Sequence, residues 1–197
     1  MKVSREQCAE NRERILAAAG SLFREKGFDG VGIADIMNAA GLTHGGFYRH
    51  FASKDDLAAQ TCKLAMDGAA DKWSRLLRSA PEAPLPALLA HYLSRHHRDG
   101  AGRGCMFAAL GADAARQQRG VRSAFTGGLN ALLDLLGQTV RGPSQQARRR
   151  KAIATMSEMV GAVVLARAVD NPALSAEILA AASLDLLAGY AEAPGKA

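Results

Sequence analysis

Apolar residues recur along this chain at spacings of three and four, not two. Ile15, Ala19, Leu22 and Phe23 give the stretch Arg5–Lys26 one apolar face, which predicts a long first helix. Gly27 follows where a left-handed residue ends a helix, and Phe28 stands where the accompanying hydrophobic contact falls. Ile33, Ile36, Met37 and Ala40 match the i, i+3, i+4, i+7 pattern, so a short second helix starts near Gly32 or Ile33 and stops at Gly41. Leu42, Thr43 and Phe47 then fit N′, N-cap and N4 of a third helix, with Leu42 and Phe47 as a hydrophobic staple and Phe51 one turn further. Two short helices around a tight glycine turn, behind a longer supporting helix, spell a helix-turn-helix.

The third of these helices is a poor one. Gly45 and Gly46 in its first turn each cost up to ~1 kcal/mol relative to Ala. A helix that must approach a DNA backbone or base edge gains from missing side chains; a packing helix does not. With Phe47 and Phe51 turned inward, Thr43, His44, Gly45, Tyr48 and His50 are left outward, with hydroxyl, imidazole and phenol groups suited to phosphates and base edges. Ser53 and Asp56 then have capping-box spacing, and Asp55 and Asp56 suit the positive end of a helix dipole. Lys54 opposes that dipole, which a nearby phosphate explains better than helix stability does.

Taken in order, Ile33-Ala34-Asp35-Ile36, Ala40-Gly41-Leu42-Thr43, Gly46-Phe47-Tyr48-Arg49-His50-Phe51 and Ser53-Lys54-Asp55-Asp56-Leu57 resemble the DNA-binding domain of the TetR/AcrR family, over residues 10–60 or so. The resemblance implies an all-α protein with a DNA-binding domain at 1–52, its third helix in a major groove, and phosphate contacts from Tyr48 and Lys54. Many relatives carry Thr or Ser near Gly32. Here the backbone amides of Gly32 and Ile33 are the groups left for capping and phosphate. The expected DNA-binding set is therefore Gly32, Ile33, Thr43, His44, Gly45, Gly46, Tyr48, His50 and Lys54.

Residues 53–197 continue in helical periodicity, for about nine helices in all, and read as an effector-binding and dimerisation domain. Helices are expected at Ser53–Leu77, Ala87–His97, Cys105–Arg116, Val121–Arg141, Ser144–Ala168 and from Pro172, with a loop at 99–104 and a frayed tail at 191–197. The last two helices carry apolar residues on more than one face, so Ile153, Met156, Val160, Val163, Ile178, Ala182 and Leu186 are expected in a dimer interface. The resemblance implies the same interface, a four-helix bundle of the last two helices from each subunit. Met66, Trp73, His91, Tyr92, Cys105, Met106, Phe107 and Phe125 are candidate pocket residues for a small-molecule effector, chosen for bulk, polarity and place in the chain.

Composition narrows the function further. Hydrophobic residues make up 48% of 197 but aromatics only 5%, which favours alanine-rich close-packed helices. Three cysteines without a CxxC pair argue against a disulfide framework and point to a reducing cytosol. The amino terminus is not secretory in pattern, and apolar runs such as 162–166 are shorter than a membrane helix needs. A net charge of +6 suits an anionic partner, yet residues 1–54 hold eight Lys/Arg against six acids, so DNA contact depends on placed residues. His91, His96 and His97 lack ligand spacing for a metal, and Arg148–Lys151 spread around a helix as a solvated face. No nucleophile elbow, phosphate loop or HExxH is present, so neither enzyme activity nor a cofactor is expected. The expectation is a cytoplasmic, homodimeric, ligand-responsive repressor of a palindromic operator. Two alternatives stay open: an architectural DNA-binding protein without effector, and a redox-sensing regulator acting through Cys105, which precedes a helix after a glycine-rich loop.

Overall fold

A computed structural model describes residues 4–191 as nine α-helices and two 3-10 helices, with no strand among the described residues. The fold is all-α. The tail expected at 191–197 lies outside them except for Ala191, which closes the last helix.

Local chemistry sets most boundaries. α1 (Arg5–Lys26) starts at Ser4, whose hydroxyl accepts the Gln7 N–H at 3.0 Å. It ends at Gly27, with φ 77° and ψ 168°, a conformation open almost only to glycine. The Phe23 and Phe28 rings meet 5.2 Å apart beside that cap. α2 (Ile33–Ala39) closes on Gly41 at φ 67°. There the Gly41 N–H donates to Asn38 O and the Leu42 N–H to Met37 O, both at 2.9 Å, the paired bonds of a Schellman motif.

The next element departs from expectation. His44–Arg49 is a 3-10 helix, and Thr43 occupies the N-cap place without a side-chain bond. Its first turn closes through the backbone, Gly46 N–H to Thr43 O at 3.0 Å. Two adjacent glycines weaken an α-turn, and the tighter i+3 bonding suits so short a piece.

α3 (Lys54–Ser79) begins as read, with the Ser53 hydroxyl accepting the Asp56 N–H at 3.0 Å. The helix expected at 87–97 is instead two: α4 (Pro84–Tyr92) and α5 (Arg95–Asp99). Ser94 makes the break, donating to His91 O at 2.8 Å and accepting the His97 N–H at 3.1 Å. Pro84 starts α4 three residues early because its missing N–H costs nothing at N1. Within the expected loop lies a short 3-10 helix, Ala101–Arg103. α6 (Met106–Ala114), α7 (Arg119–Thr139), α8 (Gln145–Ala168) and α9 (Pro172–Ala191) follow. Ser144 caps α8 by accepting the Ala147 N–H, and Asn171 caps α9 by accepting from Ala173 and Leu174 at 2.9 and 3.1 Å.

Two compact units result. The first comprises residues 1–67 and 101–127. Its core joins Ile15, Phe23, Ile36, Met37, Phe47 and Leu57 to Met106 and Leu110 of α6. The second comprises 68–100 and 128–197. Trp73, Leu85, Leu88, Leu132, Leu136, Met159 and Val163 are buried there. These cuts differ from a junction at 52/53, since α3 and α7 each contribute to both units.

α9 corrects one reading. Over Pro172–Tyr190 it matches a membrane span in length and composition, and only 17% of that stretch is buried within the chain. Scattered Ser175, Glu177, Ser183 and Asp185 hide this in a search for unbroken apolar runs.

Candidate nucleic-acid interface

Within the first unit, α2, the 3-10 helix and the start of α3 set out the residues singled out above. Phe47 is fully buried and Phe51 nearly so, their rings 5.8 Å apart, which anchors the segment from beneath. Thr43, His44 and Gly45 are exposed above them. Tyr48 is 68% exposed, its ring edge-on to Phe47 at 5.1 Å. A Cβ added to Gly45 would meet nothing within 4 Å, so the outer side of that turn is open. Lys54 is half-buried at the first residue of α3.

Three members of the set stand differently. Gly46 is half-buried, and a Cβ there would lie 3.5 Å from Met37 Cε, so it faces the packing of α2. Gly32 donates its N–H to Asp35 Oδ2 at 2.9 Å, which occupies the amide expected to meet phosphate; Ile33 follows as the first residue of α2. His50 caps the 3-10 helix half-buried, with Nδ1 3.8 Å from Cys8 Sγ. Burial, then the charges of Arg12 and Arg49, hold its imidazole below the ordinary pKa, favouring the neutral form.

Sequence reading missed two arginines. Arg49 is exposed in the 3-10 helix itself, and a cation inside the segment was signal enough. Arg12 reaches over the Phe51 ring at 5.1 Å, a contact between residues too distant in sequence for any local pattern to disclose.

The candidate pocket residues divide between the units. Met66, Cys105, Met106, Phe107 and Phe125 fall in the first, where the Phe107 and Phe125 rings meet edge-on at 5.2 Å. Trp73, His91 and Tyr92 fall in the second, with Trp73 edge-on to Tyr92 at 5.9 Å. His91 stacks on His97 at 6.4 Å, and burial pushes both imidazoles below their usual pKa. A separate open cleft of about 590 Å³ in the second unit is lined by Leu133, Asp134, Gly137, Gln138, Gln145, Arg148 and Arg149. The basic run is not simply a solvated face: Arg149 bonds Asp134 and Asn130 of α7, while half-buried Lys151 donates to Gly189 O of α9.

The dimer set also divides. Met156 and Val163 are 3% and 0% exposed inside the subunit, so neither can meet a partner. Val160, Ile178, Ala182 and Leu186 are half-buried, and Ile153 is exposed. The large apolar side chains left exposed are instead Ile153, Val164 and Leu165 of α8 and Leu174 and Leu184 of α9.

Residues 15–61 match the family described as bacterial regulatory proteins, tetR family. The chain is 26% identical to the HTH-type transcriptional repressor NemR of Escherichia coli over 134 residues, 66% of this chain and 67% of that protein. It is 37% identical over 98 residues to the HTH-type transcriptional regulator Mb3439c of Mycobacterium bovis, covering 50% of this chain and 47% of that one. A TetR transcriptional regulator from Chloroflexus aurantiacus has a similar structure, with TM-score 0.78 and 25% identity, over 95% of this chain and 97% of that one.

Proposed function

The chain belongs to the TetR family of transcriptional regulators, and we propose that it is a ligand-responsive repressor acting as a homodimer on a palindromic operator. The observation that carries this reading is the 3-10 segment His44–Arg49. Buried Phe47 fixes it from below, while Thr43, His44, Gly45 and Tyr48 present polar groups and an open glycine above. On this reading Thr43 and His44 lie nearest base edges, Tyr48, Lys54 and Arg49 work through phosphates, and the Ile33 amide adds a backbone donor. Residues 1–52 then act as the DNA-reading part and 53–197 as the part that dimerises and takes a small-molecule effector in the cytoplasm. The named relatives, one of them called a repressor, support the direction of control.

The test is binding to an operator selected from random duplexes, measured against salt. A two-fold dimer should select an inverted repeat whose half-sites lie ~34–36 Å apart, or more if the heads splay. Footprints spread over unrelated sequences would favour the architectural alternative.

One observation favours a second reading, regulation through Cys105. This half-buried thiol stands at the N-cap of α6 within electrostatic reach of the Arg24 guanidinium. Limited alkylation with peptide mapping decides it: Cys105 must react before Cys8 and Cys62.

A further inference from the structure

A chain of contacts links α1 to the end of the DNA-facing segment, and no part of it contains a residue assigned above to DNA. The Arg12 guanidinium lies over the Phe51 ring, 5.1 Å from its centroid, and its Nη2 donates to Gln60 Oε1. Gln60 Nε2 donates to Asp56 Oδ1 at 2.7 Å. The second oxygen of Asp56 accepts the Ala52 N–H at 3.0 Å, and the Asp56 N–H donates to Ser53 Oγ at 3.0 Å.

Each link sets the next by its chemistry. A primary amide has one donor end and one acceptor end. The Asp56 carboxylate takes the donor end of Gln60, which leaves the carbonyl for the guanidinium. Asp56 also holds the turn at Ala52, between Phe51 and the α3 N-terminus where Lys54 stands. Phe51 in turn bonds back to the 3-10 helix just past its His50 cap, its N–H donating to Phe47 O at 3.2 Å.

We propose that Arg12 is a positioning residue for operator binding, acting through Gln60 and Asp56 on the turn at 50–53, not through phosphate. Arg12 is half-buried and engaged on two sides, by a ring and by an amide oxygen. A free phosphate-seeking arginine would instead extend into solvent. The inference rests on the DNA-binding reading above.

The test uses full-length protein with Arg12→Gln, Gln60→Leu and the double variant, in operator titrations by fluorescence anisotropy over a range of salt. Loss of one charge-assisted bond weakens binding by about tenfold in either single variant. The double variant should be no weaker than the worse single one, because both break the same relay. The salt slope should stay at the wild-type value. A slope lower by about one unit in Arg12→Gln means a direct phosphate contact and overturns the proposal. Wild-type affinity in Gln60→Leu also overturns it, and that variant stands alone if Arg12→Gln does not fold. In the free protein, the His50 imidazole titration followed by NMR should move to higher pH in Arg12→Gln, since Arg12 adds to burial in holding it down. An unmoved His50 counts against the geometry. Failure of the wild type to select any operator would instead defeat the proposed function, while the His50 titration still tests the placement of Arg12 on which the relay depends.

Discussion

A charge placed at Leu184 should separate the subunits without unfolding them. Leu184 is 70% exposed on α9, and Leu174, Leu165, Val164 and Ile153 of the same two helices are 41%, 58%, 41% and 46% exposed. Fully covering a leucine is worth ~1.5–3 kcal/mol, so covering the open part of Leu184 yields about 1–2 kcal/mol per subunit. In a two-fold dimer every contact occurs twice, so Leu184→Arg loses about 2–4 kcal/mol before the cost of desolvating two guanidiniums. The dimer dissociation constant should rise by about a hundredfold or more. Sedimentation equilibrium reads this directly, with circular dichroism confirming an intact helical fold. Val163→Arg is the contrasting variant. Val163 is 0% exposed within its own subunit, so an unpaired charge there should unfold the chain, not split the dimer. Leu184→Arg sedimenting as a dimer of wild-type affinity would refute the interface, as would a stable wild-type monomer.

Lys54→Ala should weaken binding to every duplex alike and lower the salt slope by about one unit, whereas His44→Ala should also change the selected sequence; parallel titrations on two operators separate them. Gly45→Leu should abolish docking yet leave the melting temperature unchanged or higher, because a side chain there meets nothing within 4 Å and Leu is the better helix former. Burial pushes the Cys62 thiol up to about 12 from 9.0, so above pH 9 the unfolded chain loses a proton that the folded one keeps. Stability is therefore whole below pH 9 and falls as pH rises toward 12. Cys62→Ala should flatten that alkaline limb in denaturant titrations, and an unchanged limb would contradict the burial argument.

The parts of this fold legible in the sequence are those whose cause lies within a few residues. Gly27 and Gly41 end helices because positive φ favours glycine, and Ser144 and Asn171 begin them because their side chains reach amides two or three positions on. Where two local demands compete, the reading slips. Ser94 stands where a mainly apolar run gives way to Arg95-His96-His97-Arg98, and it ends α4 and starts α5 at once. Adjacent Gly45 and Gly46 look alike, but one faces open space and the other Met37 Cε. Their difference arises from where α2 lies, which neither glycine encodes.

The exposed apolar residues of α8 and α9 show where periodicity itself runs out. α8 carries two sets of apolar residues, a buried one with Met156, Met159 and Val163 and an exposed one with Ile153, Val164 and Leu165. A wide apolar arc reveals that a helix is covered on two sides, since one neighbour shields only about 100° of it. It does not reveal which set belongs to which neighbour. That assignment depends on the packing of α9 within the second unit, which buries Leu179 and leaves Leu184 out. Residues chosen from the pattern alone therefore mix the two sets, as the choice of both Ile153 and Val163 does. The paired arginine substitutions at Leu184 and Val163 separate exposed from buried residues by outcome: one dissociates a folded subunit, and the other unfolds it.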